Sequence, residues 1–83
     1  MDIAEDLAKF ILTEIAADSG KKTLTPDEDL LEQGLIDSLG IMKLILFIEE
    51  TFGIEVTDDD VIPEYFQSID SMVTFIKGKR QDK

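Results

Sequence analysis

The sequence predicts an all-α fold in a single small domain. Apolar residues recur at helical spacing in three segments, and no segment shows the sustained period-two alternation of a half-buried strand. The 83 residues, 43% hydrophobic and 33% charged, are typical of one globular domain with a modest core. We therefore expect one domain over residues 1–83, with three main helices, one short helix, a long first loop and a ragged basic tail at about residues 78–83.

The first predicted helix runs from about Ile3 to Ala17. Acidic residues in its first turn suit the positive end of a helix dipole, and Asp18-Ser19-Gly20 is a stop signal. One apolar stripe follows helical spacing, and it consists of Ile3, Leu7, Phe10, Ile11 and Ile15.

A long connection follows, from about Asp18 to Asp37, and unstructured loops of this length are uncommon in compact domains. Pro26 and two glycines interrupt it, and a short helical turn could start at Thr25. We expect four leucines to hold this loop against the core, namely Leu24, Leu30, Leu31 and Leu35.

The second predicted helix runs from about Ser38 to Phe52. Asp37 and Ser38 are good N-terminal cap residues, and Gly53 suits the left-handed position just past the end. This helix is apolar around most of its circumference, whereas a small domain can bury only about half of a helix. We therefore expect part of its apolar surface to be exposed, which often marks a binding site.

Two further helical elements are expected after the second helix. Thr57 to Asp60 has the pattern of a capping box, with Asp in place of the usual Glu. A short helix could follow and end near Pro63. The last helix should run from about Ser68 to Lys79, because apolar residues recur there at helical spacing and basic residues suit its C-terminal end.

The composition excludes several classes of function. The chain has no Cys and no His, which removes disulfides, thiolate metal sites and a Ser-His-Asp triad. Asp58-Asp59-Asp60 could suggest calcium, but the residues after it do not continue the ligand pattern of an EF-hand loop. We expect no metal site and no enzymatic activity.

The charge distribution indicates the kind of partner. The net charge is −11, and residues 27–70 hold 13 acidic residues and a single base, Lys43. This argues against nucleic acid and favours proteins with basic faces, although solubility alone could explain an acidic chain. The N-terminus is acidic and the longest uncharged apolar run is Leu44 to Ile48, so we expect no signal peptide, no membrane span and a cytoplasmic location.

Asp37-Ser38-Leu39 is the candidate site. A serine at a helix N-terminus lies where free N–H groups and the helix dipole favour an anion. No nearby base could activate Ser38 for catalysis, so this position suits modification by another enzyme, to which Asp37 could contribute by holding a metal ion or a basic residue. The tripeptide alone favours simple capping, because Ser and Asp are preferred cap residues, and Asp70-Ser71-Met72 has the same local pattern.

The surrounding sequence resembles the acyl carrier protein family. The stretch that resembles the family's modification site is Leu31-Glu32-Gln33-Gly34-Leu35-Ile36-Asp37-Ser38-Leu39-Gly40, and the resemblance continues in order through Glu49 to Val56, Phe66 to Ile69 and Phe75-Ile76. The resemblance implies a four-helix bundle and a 4′-phosphopantetheine arm, transferred from coenzyme A to Ser38 by a phosphopantetheinyl transferase. The arm's thiol would carry an acyl or aminoacyl group as a thioester.

The resemblance also implies how the second helix meets its partners, which would be a loading enzyme and a downstream acyltransferase or synthase. Acidic residues that match the family's docking positions are Asp37, Glu49 and Glu50, and the matching apolar contacts are Leu39, Met42 and Leu46. Residues that could line a space for an acyl chain are Leu44, Ile48 and Val56, with plain core packing as the simpler alternative.

Two departures from the family pattern point to a specialised pathway. Fatty-acid carriers usually have acids at the positions of Gly40 and Lys43, and Lys43 is either a solvated residue or a determinant of partner choice. The sequences of residues 32–40 and 52–56 instead resemble those of D-alanyl carrier proteins and other stand-alone carriers. The alternatives are a carrier of primary fatty-acid synthesis and an acidic helical adaptor whose Ser38 stays unmodified. A monomer with transient partners is expected in each case.

Overall fold

The computed structural model describes residues 2–81, and the predicted all-α fold is confirmed. No strand occurs within these residues, and no helix among them is long and apolar enough to cross a bilayer. This part of the chain contains four α-helices, which we name α1 (Ile3–Phe10), α2 (Ser38–Phe52), α3 (Pro63–Phe66) and α4 (Ile69–Gln81). The last part of the predicted basic tail, residues 82–83, lies outside the described residues, while its first part continues α4.

The first helix changes type before it ends. Asp2 caps α1 by accepting a hydrogen bond from the backbone N–H of Ala4 at 3.0 Å. After Phe10 the chain continues as a π-helical segment, Ile11–Ile15, in which the N–H of Ala16 donates to the carbonyl of Ile11 at 2.7 Å. The helical region therefore ends two residues before the predicted Ala17, and its wider last turn was not predicted.

The second helix has the predicted bounds. Asp37 is its N-cap, with the carboxylate Oδ1 accepting from the N–H of Gly40 at 2.8 Å. Gly53 follows the last residue with a φ of 69°, in the left-handed region that favours glycine. Leu44 and Ile48 are fully buried and form the part of α2 that faces the core.

The long connection is held to the core as predicted. Leu30 is fully buried, and its N–H donates to the carbonyl of Gln67 at 2.7 Å. The other three leucines are half-buried against the core. Lys21 Nζ lies 2.6 Å from Glu28 Oε2, and Gln33 and Thr25 also donate to this carboxylate. The Lys21 contact, followed by those of Gln33 and Thr25, lowers the pKa of Glu28 from 4.5 to about 2.

The short helix predicted before Pro63 forms, but a second short helix that begins at Pro63 was not predicted. The capping-box turn forms a 3₁₀-helix, Asp58–Asp60, and Pro63 begins the next helix, α3, instead of ending one. Proline suits the first helical position because its missing N–H would have no partner there and its φ is already helical. Lys79 of α4 fixes the 3₁₀-helix to α4, because its Nζ lies 2.6 Å from Asp60 Oδ2. This contact also lowers the pKa of the Asp60 carboxyl.

Candidate functional site

Ser38 is the first residue of α2 and is exposed. Asp37 forms the cap just before it and occupies the N–H of Gly40 with its side chain. Within residues 2–81 the N–H groups of Ser38 and Leu39 donate to no protein acceptor, as expected for the first turn of a helix. The serine hydroxyl therefore faces solvent at the positive end of a fifteen-residue helix.

Gly40 allows the first turn of α2 to pack closely against its neighbours. A Cβ atom at this position would lie 3.1 Å from Cγ2 of Ile15 and 3.2 Å from Cγ2 of Ile36, tighter than ordinary van der Waals contact. Ile15 is the last residue of the π-helical segment, and Ile36 lies near the end of the long connection. The backbone that carries Ser38 is therefore packed against the π-helical segment and the long connection. The sequence did not predict these two contacts.

These features suit a phosphodiester on Ser38. The hydroxyl is accessible, and the two unpaired N–H groups of the first turn favour a negative charge beside it. Asp37 is exposed as well, so its outer carboxylate oxygen is accessible to a modifying enzyme. No His, Cys, Asp or Glu cluster among residues 2–81 could hold a metal ion of its own.

One side of α2 is exposed and largely apolar, and we call it the outer face of α2, defined by Leu39, Met42, Lys43, Leu46 and Glu50. Leu39 and Met42 are each 64% exposed, and Leu46 is 60% exposed. The expectation that part of this apolar helix would be exposed is therefore met at these three positions. Their contact with a partner stays a prediction.

Glu49 differs from the other predicted acidic docking residues. Asp37 and Glu50 are exposed, whereas Glu49 is half-buried and its Oε2 accepts a hydrogen bond from the N–H of Val56 at 2.9 Å. Glu49 thus fastens the chain that follows α2, and a docking role for it would compete with this bond. That docking role stays a prediction.

The predicted cargo-lining residues are part of the core. Leu44 and Ile48 are fully buried, and Val56 is half-buried against the same cluster. The structure therefore brings these three side chains into one apolar region, as plain packing requires. Whether they also contact a bound acyl chain stays a prediction.

Three further exposed apolar residues were missed by sequence reasoning. Val61 is 43% exposed, Ile62 is 36% exposed and Tyr65 is 37% exposed. The available signal was an apolar pair after three acidic residues that matched no helical stripe. The pair forms an exposed link between the 3₁₀-helix and α3.

Comparisons with known proteins agree with this geometry. The family described as phosphopantetheine attachment site matches residues 9–76, which include Ser38. An acyl carrier protein of Solidesulfovibrio magneticus is 29% identical over 80 residues, 96% of this chain and 97% of that protein. The solution structure of a holo acyl carrier protein from Nitrosomonas europaea is 28% identical with a TM-score of 0.76, over 98% of this chain and 99% of that one.

A third similarity supports the fold alone. A carrier protein solved in complex with the glycine:[carrier protein] ligase of Bradyrhizobium japonicum gives a TM-score of 0.72 at 21% identity, over 93% of this chain and 99% of the matched chain. The family match spans most of the sequence and agrees with the four-helix architecture. The prosthetic group is 4′-phosphopantetheine, and the chain acts as a carrier and not as a catalyst. The chain therefore belongs to the acyl carrier protein family, whose members carry groups on a phosphopantetheine attachment site.

Proposed function

We propose that Ser38 is the attachment point for the 4′-phosphopantetheine arm, and that the single domain carries an acyl or aminoacyl group in a specialised pathway. The observation that carries this proposal is the exposed serine at the first position of α2, inside the matched region. The arm supplies a thiol that forms a thioester with the cargo. The protein's own part is to hold the arm, present it and be recognised.

The residues around Ser38 support attachment by a separate transferase. The free N–H groups of the first turn stabilise the negative charge of a phosphodiester on Oγ. Asp37 keeps the turn closed through its bond to Gly40, and its exposed carboxylate can meet a cationic group of the transferase. Gly40 packs against Ile15 and Ile36, so the attachment point is held on a rigid helix end.

Tethering explains how such a small chain without catalytic groups can serve several enzymes. A flexible arm converts each encounter between cargo and active site into an intramolecular event, which raises the effective concentration of the cargo. The protein then needs only a surface that partners recognise. The outer face of α2 is suited to this, because it combines exposed apolar side chains with the exposed charges of Lys43 and Glu50, and the exposed Asp37 lies just before the helix.

The sequence at two positions supports a specialised carrier over one of primary fatty-acid synthesis. Gly40 and Lys43 stand where fatty-acid carriers usually have acids, and a side chain at Gly40 would crowd Ile15 and Ile36 in this fold. Aminoacyl cargo is one such specialised use, and a carrier of the same fold has been solved with a glycine ligase. We propose a ligase-type loading enzyme and a downstream acyltransferase or synthase as partners of a monomeric chain.

The test is the intact mass of the protein after incubation with coenzyme A and a broad-specificity phosphopantetheinyl transferase. Wild-type protein should gain one phosphopantetheine, and Ser38→Ala should gain none. Ser71→Ala is the matched control, because Asp70-Ser71-Met72 repeats the local pattern and should leave the modification unchanged. A folded wild-type sample that gains no mass would instead indicate the unmodified acidic adaptor.

A further inference from the structure

Lys43 lies in the middle of the outer face of α2. It is four residues after Leu39 and three residues before Leu46, so its side chain neighbours both on the helix surface. Lys43 is exposed, like the two leucines. A cation therefore stands among the apolar side chains that would contact a partner.

Residues 2–81 provide no counter-charge for this cation. Within residues 2–81 the ammonium group of Lys43 makes no hydrogen bond and no ion pair, whereas Lys21 pairs with Glu28 and Lys79 pairs with Asp60. Its helical neighbours three and four residues away are uncharged, and they are Leu39, Gly40, Leu46 and Phe47. The nearest acid on the outer face is Glu50, seven residues on and about 10 Å along the axis.

Docking would remove water from Lys43 together with its apolar neighbours. Taking a cation out of water without an opposite charge is costly, and placing it against another cation is worse. The exposed acids Asp37, just before α2, and Glu50, near its end, favour a basic partner surface, so Lys43 opposes a uniformly basic docking patch.

We infer that Lys43 selects among carrier-dependent enzymes, and that the cognate partner presents a carboxylate opposite it within an otherwise basic patch. This inference rests on the proposed carrier function and names the chemistry of the docking surface. Enzymes that serve fatty-acid carriers face an acid at this position, so their basic patch would repel Lys43. The cognate patch would repel an acid there for the same reason.

The test uses the holo-proteins of wild type, Lys43→Glu and Lys22→Glu with a malonyl-CoA:carrier-protein transacylase of a fatty-acid synthase. Lys22 is exposed in the long connection, so its substitution makes the same change in net charge away from α2. Initial rates of malonyl transfer give kcat/KM for each carrier. A second transacylase, with Glu replacing the basic docking residue nearest position 43, supplies the proposed carboxylate.

With the unmodified transacylase, Lys43→Glu should exceed wild type by about tenfold in kcat/KM, and Lys22→Glu should match wild type. With the glutamate-bearing transacylase the order of wild type and Lys43→Glu should reverse. The inference is overturned if Lys43→Glu is no faster than wild type with the first enzyme, or if the second enzyme does not reverse the order. Failure of wild type to take phosphopantetheine, seen by mass before any transfer, would instead refute the proposed function.

Discussion

Replacing Gly40 with alanine should destabilise the domain, although alanine is the better helix former. In an open helical position the change from glycine to alanine stabilises by up to about 1 kcal/mol. At Gly40 the added Cβ would lie 3.1 Å from Ile15 Cγ2 and 3.2 Å from Ile36 Cγ2. Overpacking of this kind costs about 1–3 kcal/mol. The two terms together predict a free energy of unfolding lower by about 0–2 kcal/mol.

Gly78 provides an internal control for the helix-propensity term. It lies within α4, and a Cβ placed there meets no atom of residues 2–81 within 4 Å. Gly78→Ala should therefore stabilise the protein by about 0.5–1 kcal/mol. Since propensity acts on both variants, the difference between them isolates the steric cost at Gly40, about 1–3 kcal/mol.

Urea unfolding followed by circular dichroism would give the free energy of each variant. A difference of 1 kcal/mol corresponds to about 4–8 °C in melting temperature for a domain of this size. Adding Ile15→Leu, which removes the contacting Cγ2 methyl, should recover part of the loss in Gly40→Ala and yield a measurable coupling energy. Equal stability of Gly40→Ala and Gly78→Ala would refute the reasoning about close approach.

Three further predictions concern charged residues, and a fourth concerns ionic strength. Asp37→Asn should retain the cap and leave stability nearly unchanged, but it should slow the transfer of phosphopantetheine to Ser38. Asp37→Ala should slow the transfer and also lower the free energy of unfolding by about 1 kcal/mol. Equal transfer rates for the asparagine variant and wild type would argue against a role for the charge. Glu49→Ala should destabilise by about 1–2 kcal/mol in urea because it leaves the N–H of Val56 unpaired, whereas the exposed Glu50→Ala should stay within about 0.5 kcal/mol. The folded-state pKa of Glu28 lies below its ordinary value, so its contribution to the free energy of unfolding is complete above pH 4.5 and is lost as pH falls to about 2. Glu28→Gln should therefore make the free energy of unfolding depend less on pH over that range. An unchanged dependence on pH below 4.5 would contradict this. Added NaCl or MgCl₂ should raise the melting temperature, because residues 27–70 carry a net charge of −12, and a flat response would exclude self-repulsion as a significant term.

The bounds of α2 could be predicted because independent local signals agree there. A cap residue precedes the helix, a glycine in the left-handed region follows it, and the residues between are apolar at helical spacing. The π-helical end of the first helix has no such signal. Its residues keep an apolar pattern compatible with an ordinary α-helix, and packing of Ile15 against the start of α2 depends on contacts distant in sequence.

Pro63 shows a second kind of limit. Proline interrupts a helix from within and also begins one, and the residue type alone does not distinguish the two. The outcome depends on whether the preceding turn has already ended, and here it ends at Val61 after the capping box of Thr57 and Asp60 closes. Sequence signals located the short helix before the proline but not the helix that begins at it.

The acids of α2 show why sequence alone could not define the docking charges. Glu49 and Glu50 are adjacent, and one step along an α-helix turns a side chain by about 100°. Packing leaves Glu50 exposed and brings Glu49 to the N–H of Val56, so the accessible charges of the outer face of α2 are those of Lys43 and Glu50. They are opposite in sign and seven residues apart, or about 10 Å along the helix axis. A complementary partner would carry an anion and a cation at the same spacing. Sliding the helix by one such step would oppose like charges, so this pair of charges would fix the register in which the partner meets Ser38.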